Sequence, residues 1–137
     1  MDLVTQYLGR LPWKADITEI DIKKQAANVA ERKAREAERI LAAVPDGAAL
    51  VALDEHGKAL KSRQFAGKID EWQATGISRV AFVIGGADGL DASVLAKADL
   101  KLAFGTLTWP HMMVRAMLAE QIYRAWSINA GHPYHRD

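Results

Sequence analysis

The sequence predicts a single α/β domain with a mainly parallel sheet, and three observations carry that reading. Short, nearly continuous apolar runs at 47–54 and 79–84 have the pattern of strands covered on both faces, as parallel strands are. Each run is followed by a segment whose apolar residues recur at helical spacing, so strand and helix alternate. The 137 residues fall in the commonest size range of one domain, 1–137, with no linker, internal repeat or low-complexity segment.

Each element has its own local warrant. Residues 2–9 are expected to form a short helix that stops at Leu11-Pro12, and ITEIDI at 17–22 alternates like a half-buried strand. A helix is expected over 24–43, with Val29, Ala30, Ala34, Ala37, Ile40 and Leu41 at helical spacing and most of the charge opposite, as a solvated face. GAALVALD at 47–54 follows as a buried strand, then a helix with Ser62 as N-cap, Phe65, Ile69 and Trp72 on its inner face, and Gly76 as its stop. Residues 79–84 make another buried strand that runs into Gly85 and Gly86; 91–98 make a helix of two turns at most, and 99–105 alternate as a strand. After the turn TLTWPH, a long helix is expected from Pro110 to Asn129, capped by Gly131 and steadied by the i,i+4 pair of Glu120 and Arg124. Its apolar stripe is Val114, Met117, Leu118, Ile122, Ala125 and Ile128, while Met113 and Trp126 suit a core or a subunit interface.

Composition excludes several functions. Half the residues are hydrophobic and 26% are charged, the balance of an ordinary globular protein, and a net charge of +1 gives no overall field toward nucleic acid or anionic lipid. With no cysteine there is no disulfide framework, thiolate zinc site or cysteine nucleophile. No leader-like start or apolar run near 18 residues is present, so a cytoplasmic protein without a membrane partner is expected. Ser62, Ser78, Ser93 and Ser127 lie outside any G-x-S-x-G setting, which leaves covalent catalysis unsupported. His132 and His135, with His111 and Asp137, invite a metal reading, but two of these lie in a terminal tail that cannot hold ligands rigidly, and no metal is expected.

In an open parallel sheet the ligand site lies beyond the carboxyl ends of the strands. Three such ends stand out here: Leu53 and Asp54, Gly85 and Gly86, and Phe104 to Trp109. IGGADGL allows close backbone approach and positive φ, yet it is neither G-x-G-x-x-G nor the start of a long helix, so a tight turn explains it as well as a phosphate site does. Arg115 and Arg124, about two and a half turns apart on the last helix, are either solvated charge or phosphate contacts for RNA. The tail HPYHR crowds Tyr134, His135 and Arg136 into positions that are usually small and polar.

Four stretches taken together, LDEHGKALKSRQFA (53–66), FVIGGADGL (82–90), TLTWPHMMVRAMLAEQIYRAWSI (106–128) and HPYHR (132–136), resemble the small SPOUT-class methyltransferases that methylate N3 of a pseudouridine in 23S ribosomal RNA. The resemblance spans essentially the whole chain. It implies a single SPOUT (α/β-knot) domain with a C-terminal trefoil knot, acting as a homodimer on the ribosome. It also implies S-adenosyl-L-methionine as cofactor, held by Leu53, Gly85 and the run Phe104, Gly105, Thr106, Leu107, Thr108 and Trp109. The tail completes the neighbouring subunit's site in that family, which brings Tyr134, His135 and Arg136 to the target base as the catalytic set. Family members usually open with a K-I-x-I-x-x-V-G-K strand; relative to them about twenty N-terminal residues are missing, a loss expected to leave backbone donors uncovered.

The implied chemistry assigns roles. N3 of a pseudouridine is protonated at neutral pH, so His135 is the expected proton acceptor, with Tyr134 stacking on the base. Arg136, Arg115 and Arg124 stabilise the imidate or grip phosphates, and His111 joins them as an RNA contact. The alternatives are a non-catalytic α/β ligand-binding module that uses the Gly85–Gly86 turn, or a ribosome-associated assembly protein.

Overall fold

The computed structural model describes residues 2–20, 28–85, 88–105 and 107–134. They form two compact units, each assembled from separated stretches of chain.

The sheet unit, Thr18–Ala59 and Ile77–Thr108, contains α2 (Val29–Ala43), β1 (Ala49–Ala59), β2 (Val80–Ile84), α4 (Ala92–Lys97) and β3 (Leu100–Ala103). Among the described residues the strands are all parallel in the order β2-β1-β3. Central β1 is accordingly the most buried: Val51 and Ala52 are fully enclosed. The five residues of β2 are only half-buried rather than enclosed on both faces as expected, because β2 stands at an edge with one strand neighbour.

β1 is longer than its apolar run. It continues past Asp54 to Ala59, and its register against β3 jumps: Leu53 and Lys58 both pair with Leu102, so Asp54–Gly57 bulge out between them. Gly57 makes this possible, since a Cβ there would lie 2.6 Å from the Lys101 carbonyl oxygen.

On one side of the sheet, Ala37 and Ile40 of α2 join Ala52, Leu90 and Val94 in a core cluster, with Leu41 partly buried beside it. The rest of the expected α2 stripe differs: Val29, Ala30 and Ala34 are exposed. The helix begins at Val29 because the Asn28 side chain accepts the Glu31 N–H at 2.8 Å, which caps it there; 24–27 lie outside the described residues. The expected strand at 17–22 does not form over its described part, 17–20. Alternation makes a strand only where a neighbour offers a ladder, and Ile20 packs on the α2/α4 cluster instead.

The helical unit, Met1–Ile17, Leu60–Gly76 and Trp109–Asp137, contains α1 (Leu3–Gly9), α3 (Ser62–Ala74) and α5 (His111–Ala130). α3 packs on α5, burying Phe65, Ala66, Ile69 and Trp72 from one helix and Leu118, Ala119, Tyr123 and Ala125 from the other. Lys61, not Ser62, occupies the N-cap of α3. The Gln64 side chain accepts the Lys61 N–H at 2.8 Å, which frees the Ser62 hydroxyl to donate to Gln121 of α5 at 2.9 Å. Asn129 adds a second tie, donating to the Ala66 carbonyl at 3.0 Å.

α5 keeps its expected bounds within a residue. Gly131 ends it in the left-handed region at φ 71°, and the His132 N–H reaches back to the Ser127 carbonyl at 2.8 Å. α1 lies against α5 and is capped by Asp2, whose carboxylate accepts the Thr5 N–H at 2.8 Å. No helix among the described residues is long and apolar enough to cross a membrane.

Candidate functional site

The sheet unit brings three strand ends together. Leu53 of β1 pairs with Ile84 of β2 on one side and Leu102 of β3 on the other, so Gly85 and Phe104 emerge from the same edge as the Asp54–Gly57 bulge. Leu53 itself is buried and Phe104 half-buried. At Gly85 the chain doubles back so closely that a Cβ would lie 2.7 Å from the Gly89 carbonyl carbon. Gly89 and Gly105 then turn the two loops at φ 79° and 94°, a conformation that costs residues with a Cβ about 1–2 kcal/mol.

Side chains tie these loops to their surroundings. The Thr108 hydroxyl donates to the Glu55 carboxylate at 2.8 Å, joining the loop after β3 to the β1 bulge. Glu55 also lies 3.4 Å from His56 Nε2. The loop after β2 is held from α2, where Arg32 Nη1 donates to Asp88 at 2.9 Å. Leu107 is 68% exposed, leaving an apolar side chain presented beyond the sheet edge. Thr106, Gly86 and Ala87 lie outside the described residues.

A purine nucleoside with a charged tail needs backbone donors, close approach and some apolar surface. Gly85, Gly89 and Gly105 supply approach without side chains, and Leu53, Phe104 and Leu107 supply apolar surface, so these residues fit such a group.

The helical unit holds the rest. His111 is the exposed first residue of α5, and Arg115, one turn on, donates to Met112 Sδ at 3.6 Å. Arg124 lies further along the helix, where its Nε donates to Glu120 at 2.7 Å as the i,i+4 spacing implies, and its guanidinium stands 5.4 Å from the centre of the Tyr134 ring. Trp109 precedes α5 in this unit and is exposed.

Tyr134 sits among aromatic rings. It meets Tyr123 edge to face at 4.6 Å and Tyr7 of α1 at 6.5 Å, and its N–H donates to His132 Nδ1 at 3.2 Å. Burial, and then the Tyr7 hydroxyl, push the Tyr134 phenol up to about 12. His132 in turn packs against Trp126 at 5.3 Å, which gives that tryptophan a partner within its own unit. His135 and Arg136 lie outside the described residues. Among the described residues no three acidic, histidine or cysteine side chains are placed to hold a metal ion.

Sequence reasoning missed Glu55, Arg32, Asp88 and Tyr7. The first three are polar residues within a bulge, a charged helix face and a glycine loop, and Tyr7 meets its partner only in three dimensions.

Parallel strands that end together in glycine turns place this chain among the α/β proteins, a class whose small-molecule sites lie at the carboxyl edge of the sheet. Comparison with known proteins narrows the class. A family profile described as "Predicted SPOUT methyltransferase" matches residues 1–135. A Rhodospirillum centenum protein named "Ribosomal RNA large subunit methyltransferase H" is 56% identical over 135 residues, 98% of this chain and 88% of that protein. Proteins of the same name from Paramagnetospirillum magneticum and Rhodospirillum rubrum are 51% and 50% identical, each over 98% of this chain and 88% of their own length. The chain belongs to the SPOUT methyltransferase family. It is therefore an enzyme that draws on a methyl donor.

Proposed function

We propose that this chain transfers a methyl group from S-adenosyl-L-methionine to N3 of a pseudouridine in 23S ribosomal RNA, as a cytoplasmic homodimer acting on the ribosome. The observation that carries the reading is the alignment of Ile84, Leu53 and Leu102, which puts the glycine turns beyond β2 and β3 beside the β1 bulge at one edge. Its relatives named as large-subunit ribosomal RNA methyltransferases supply the substrate class.

When bound, the cofactor supplies an electrophilic methyl group on a sulfonium. Leu53, Gly85 and Phe104 to Trp109 are the residues proposed to hold it. Backbone groups around Gly85 and Gly105 grip its polar parts, while Leu53, Phe104 and Leu107 shut water from its apolar face. The target nitrogen starts as an N–H, and the chain's own groups must take that proton. His135 accepts it, because an imidazole is the side chain whose ordinary pKa suits that transfer near pH 7. Arg136 stabilises the negative charge that gathers on the base as the proton leaves. Tyr134 stacks on the base. Arg115, Arg124 and His111 contact phosphates, with Arg124 also bound to Glu120. The tail acts on the partner subunit's cofactor loops, and the knot of the family is proposed to shape them.

The decisive experiment is transfer of a radiolabelled methyl group to ribosomes from a strain that lacks the modification, followed by mapping of the labelled nucleotide. Incorporation at one pseudouridine N3 is expected. No incorporation by the well-folded protein overturns the reading, and incorporation at another nucleotide overturns its substrate.

A further inference from the structure

Tyr7 has no role in the proposed reaction, yet its surroundings are unusual for a surface helix. α1 contributes no buried residue to the core, so filling space does not account for it. What α1 does contribute is one ring facing the tail. Tyr7 meets the Tyr134 ring at 6.5 Å and 70°, and the Tyr123 ring beneath it at 6.2 Å. Arg10, one turn on, places its guanidinium 5.2 Å from the centre of Tyr7 and 5.7 Å from that of Tyr123, bridging the two rings.

Tyr134 is thereby held from several directions. Tyr123 meets it edge to face at 4.6 Å, Tyr7 flanks it, Arg124 lies against its ring, and its own N–H is bound to His132. Groups that must sit within a fraction of an ångström of a reacting atom depend on such supporting contacts.

We infer that Tyr7 is a positioning residue for methyl transfer: with Arg10 and Tyr123 it holds the ring of Tyr134, which the proposed function sets on the target base. The inference rests on the proposed function for its catalytic meaning, and on the ring geometry for its structural one. A hydrogen bond between the two phenol hydroxyls is consistent with the raised titration of Tyr134. Tyr7 touches neither reacting atom in this scheme. It acts through Tyr134.

The test uses the full chain with Tyr7→Phe, which keeps the ring and removes the hydroxyl, together with Tyr134→Phe and the double variant. In tyrosine labelled with carbon-13 at the ring carbon bearing the hydroxyl, Tyr134 is assigned by its loss in Tyr134→Phe. Its titration is expected to move down toward the ordinary phenol value in Tyr7→Phe. Turnover on unmethylated ribosomes is expected to fall about tenfold in Tyr7→Phe, with affinity for S-adenosylhomocysteine unchanged, and the double variant is expected to be no slower than Tyr134→Phe alone. An unmoved Tyr134 titration, full turnover in Tyr7→Phe, or additive losses in the double variant each overturn the positioning role. If the wild-type protein methylates nothing while its Tyr134 titration still depends on Tyr7, the proposed function falls and the grip on Tyr134 stands.

Discussion

Leu50 and Asp99 hold each other twice. The Leu50 N–H donates to the Asp99 carboxylate at 2.7 Å, and the Asp99 N–H donates to the Leu50 carbonyl at 2.8 Å, just before the β1–β3 ladder begins at Val51 and Leu100. Asp99→Ala leaves a donor of the central strand without its acceptor, which costs about 1–3 kcal/mol. Asp99→Asn retains an acceptor and is expected to lose less. Urea unfolding orders the two variants, and faster amide exchange at Leu50 in Asp99→Ala locates the damage; equal stability of wild type and Asp99→Ala contradicts the account.

Gly85 has no room for a side chain, because its Cβ would fall 2.7 Å from backbone of Gly89. Gly85→Ala therefore forces the loop after β2 to shift, and affinity for S-adenosylhomocysteine is expected to drop at least about tenfold by calorimetry. Gly67 is the contrast. It lies on exposed α3 surface with nothing within 4 Å of an added Cβ, so Gly67→Ala is expected to stabilise the chain by about 0.5–1 kcal/mol.

The Arg32–Asp88 pair separates stability from binding. Its two side chains are 37% and 34% exposed, where an ion pair contributes about 0–1 kcal/mol at most. Arg32 Nε is buried and has no partner among the described residues, which offsets part even of that. Arg32→Gln should thus leave the midpoint of thermal unfolding nearly unmoved while it frees the loop that carries Gly85. A several-fold rise in KM for the methyl donor at unchanged kcat is the expected signature, and equal KM values in the two proteins would exclude the link.

Alkali tests the docking of Tyr134. Its phenol is pushed up to about 12 from 10.0, chiefly by burial, so the fold favours the neutral form. The docked tail binds a proton that the undocked tail releases, and the contribution is complete below about pH 10 and lost as pH rises through about 12. A late phase is expected in an absorbance titration, and Tyr134→Phe should remove it. At the acid end the sign reverses for Asp91. The Ser93 hydroxyl and N–H hold its carboxyl below 3.8, so its support of α4 is present above that value and fades as pH falls through the lowered one.

Where the tail is cut decides what the cut reports. Removal of all six residues from His132 onward also removes the rings packed on Tyr123 and Trp126, and is expected to cost stability as well as transfer. Ending the chain after Tyr134 keeps those contacts. Loss of methyl transfer by that shorter truncation, with thermal unfolding within a degree or two of wild type, assigns the chemistry to His135 and Arg136.

Local signals were legible wherever a residue's partners lie close in sequence. The Glu120–Arg124 pair and Gly131 define α5 almost to the residue, since each acts within two turns, whereas its buried face is Leu118, Ala119, Tyr123, Ala125 and Ser127 and shares only Leu118 and Ala125 with the expected stripe. β1 was read short because Asp54, Glu55 and His56 end its apolar run, whereas its continuation depends on Lys58 and Ala59 finding β3 after a bulge. The alternation at 17–20 failed for the opposite reason: a period-2 pattern formed no ladder, and Ile20 went to a helix-lined cluster. That three strand ends share one edge follows from the alternation of strands and helices. The clasps that steady them, Thr108 on Glu55 and Arg32 on Asp88, join residues more than fifty positions apart and carry no local mark.

The pairing of α1 with α5 has a consequence in time. α1 is translated well before α5, so through most of synthesis Tyr7 has no Tyr123 ring to lie against. The helical unit cannot close around a partial chain, and a chain stalled before Tyr123 leaves α1 as a loose amphipathic segment open to chaperones and proteases. Docking of Tyr7 on the Tyr123 ring thus waits until α5 has been translated past its middle.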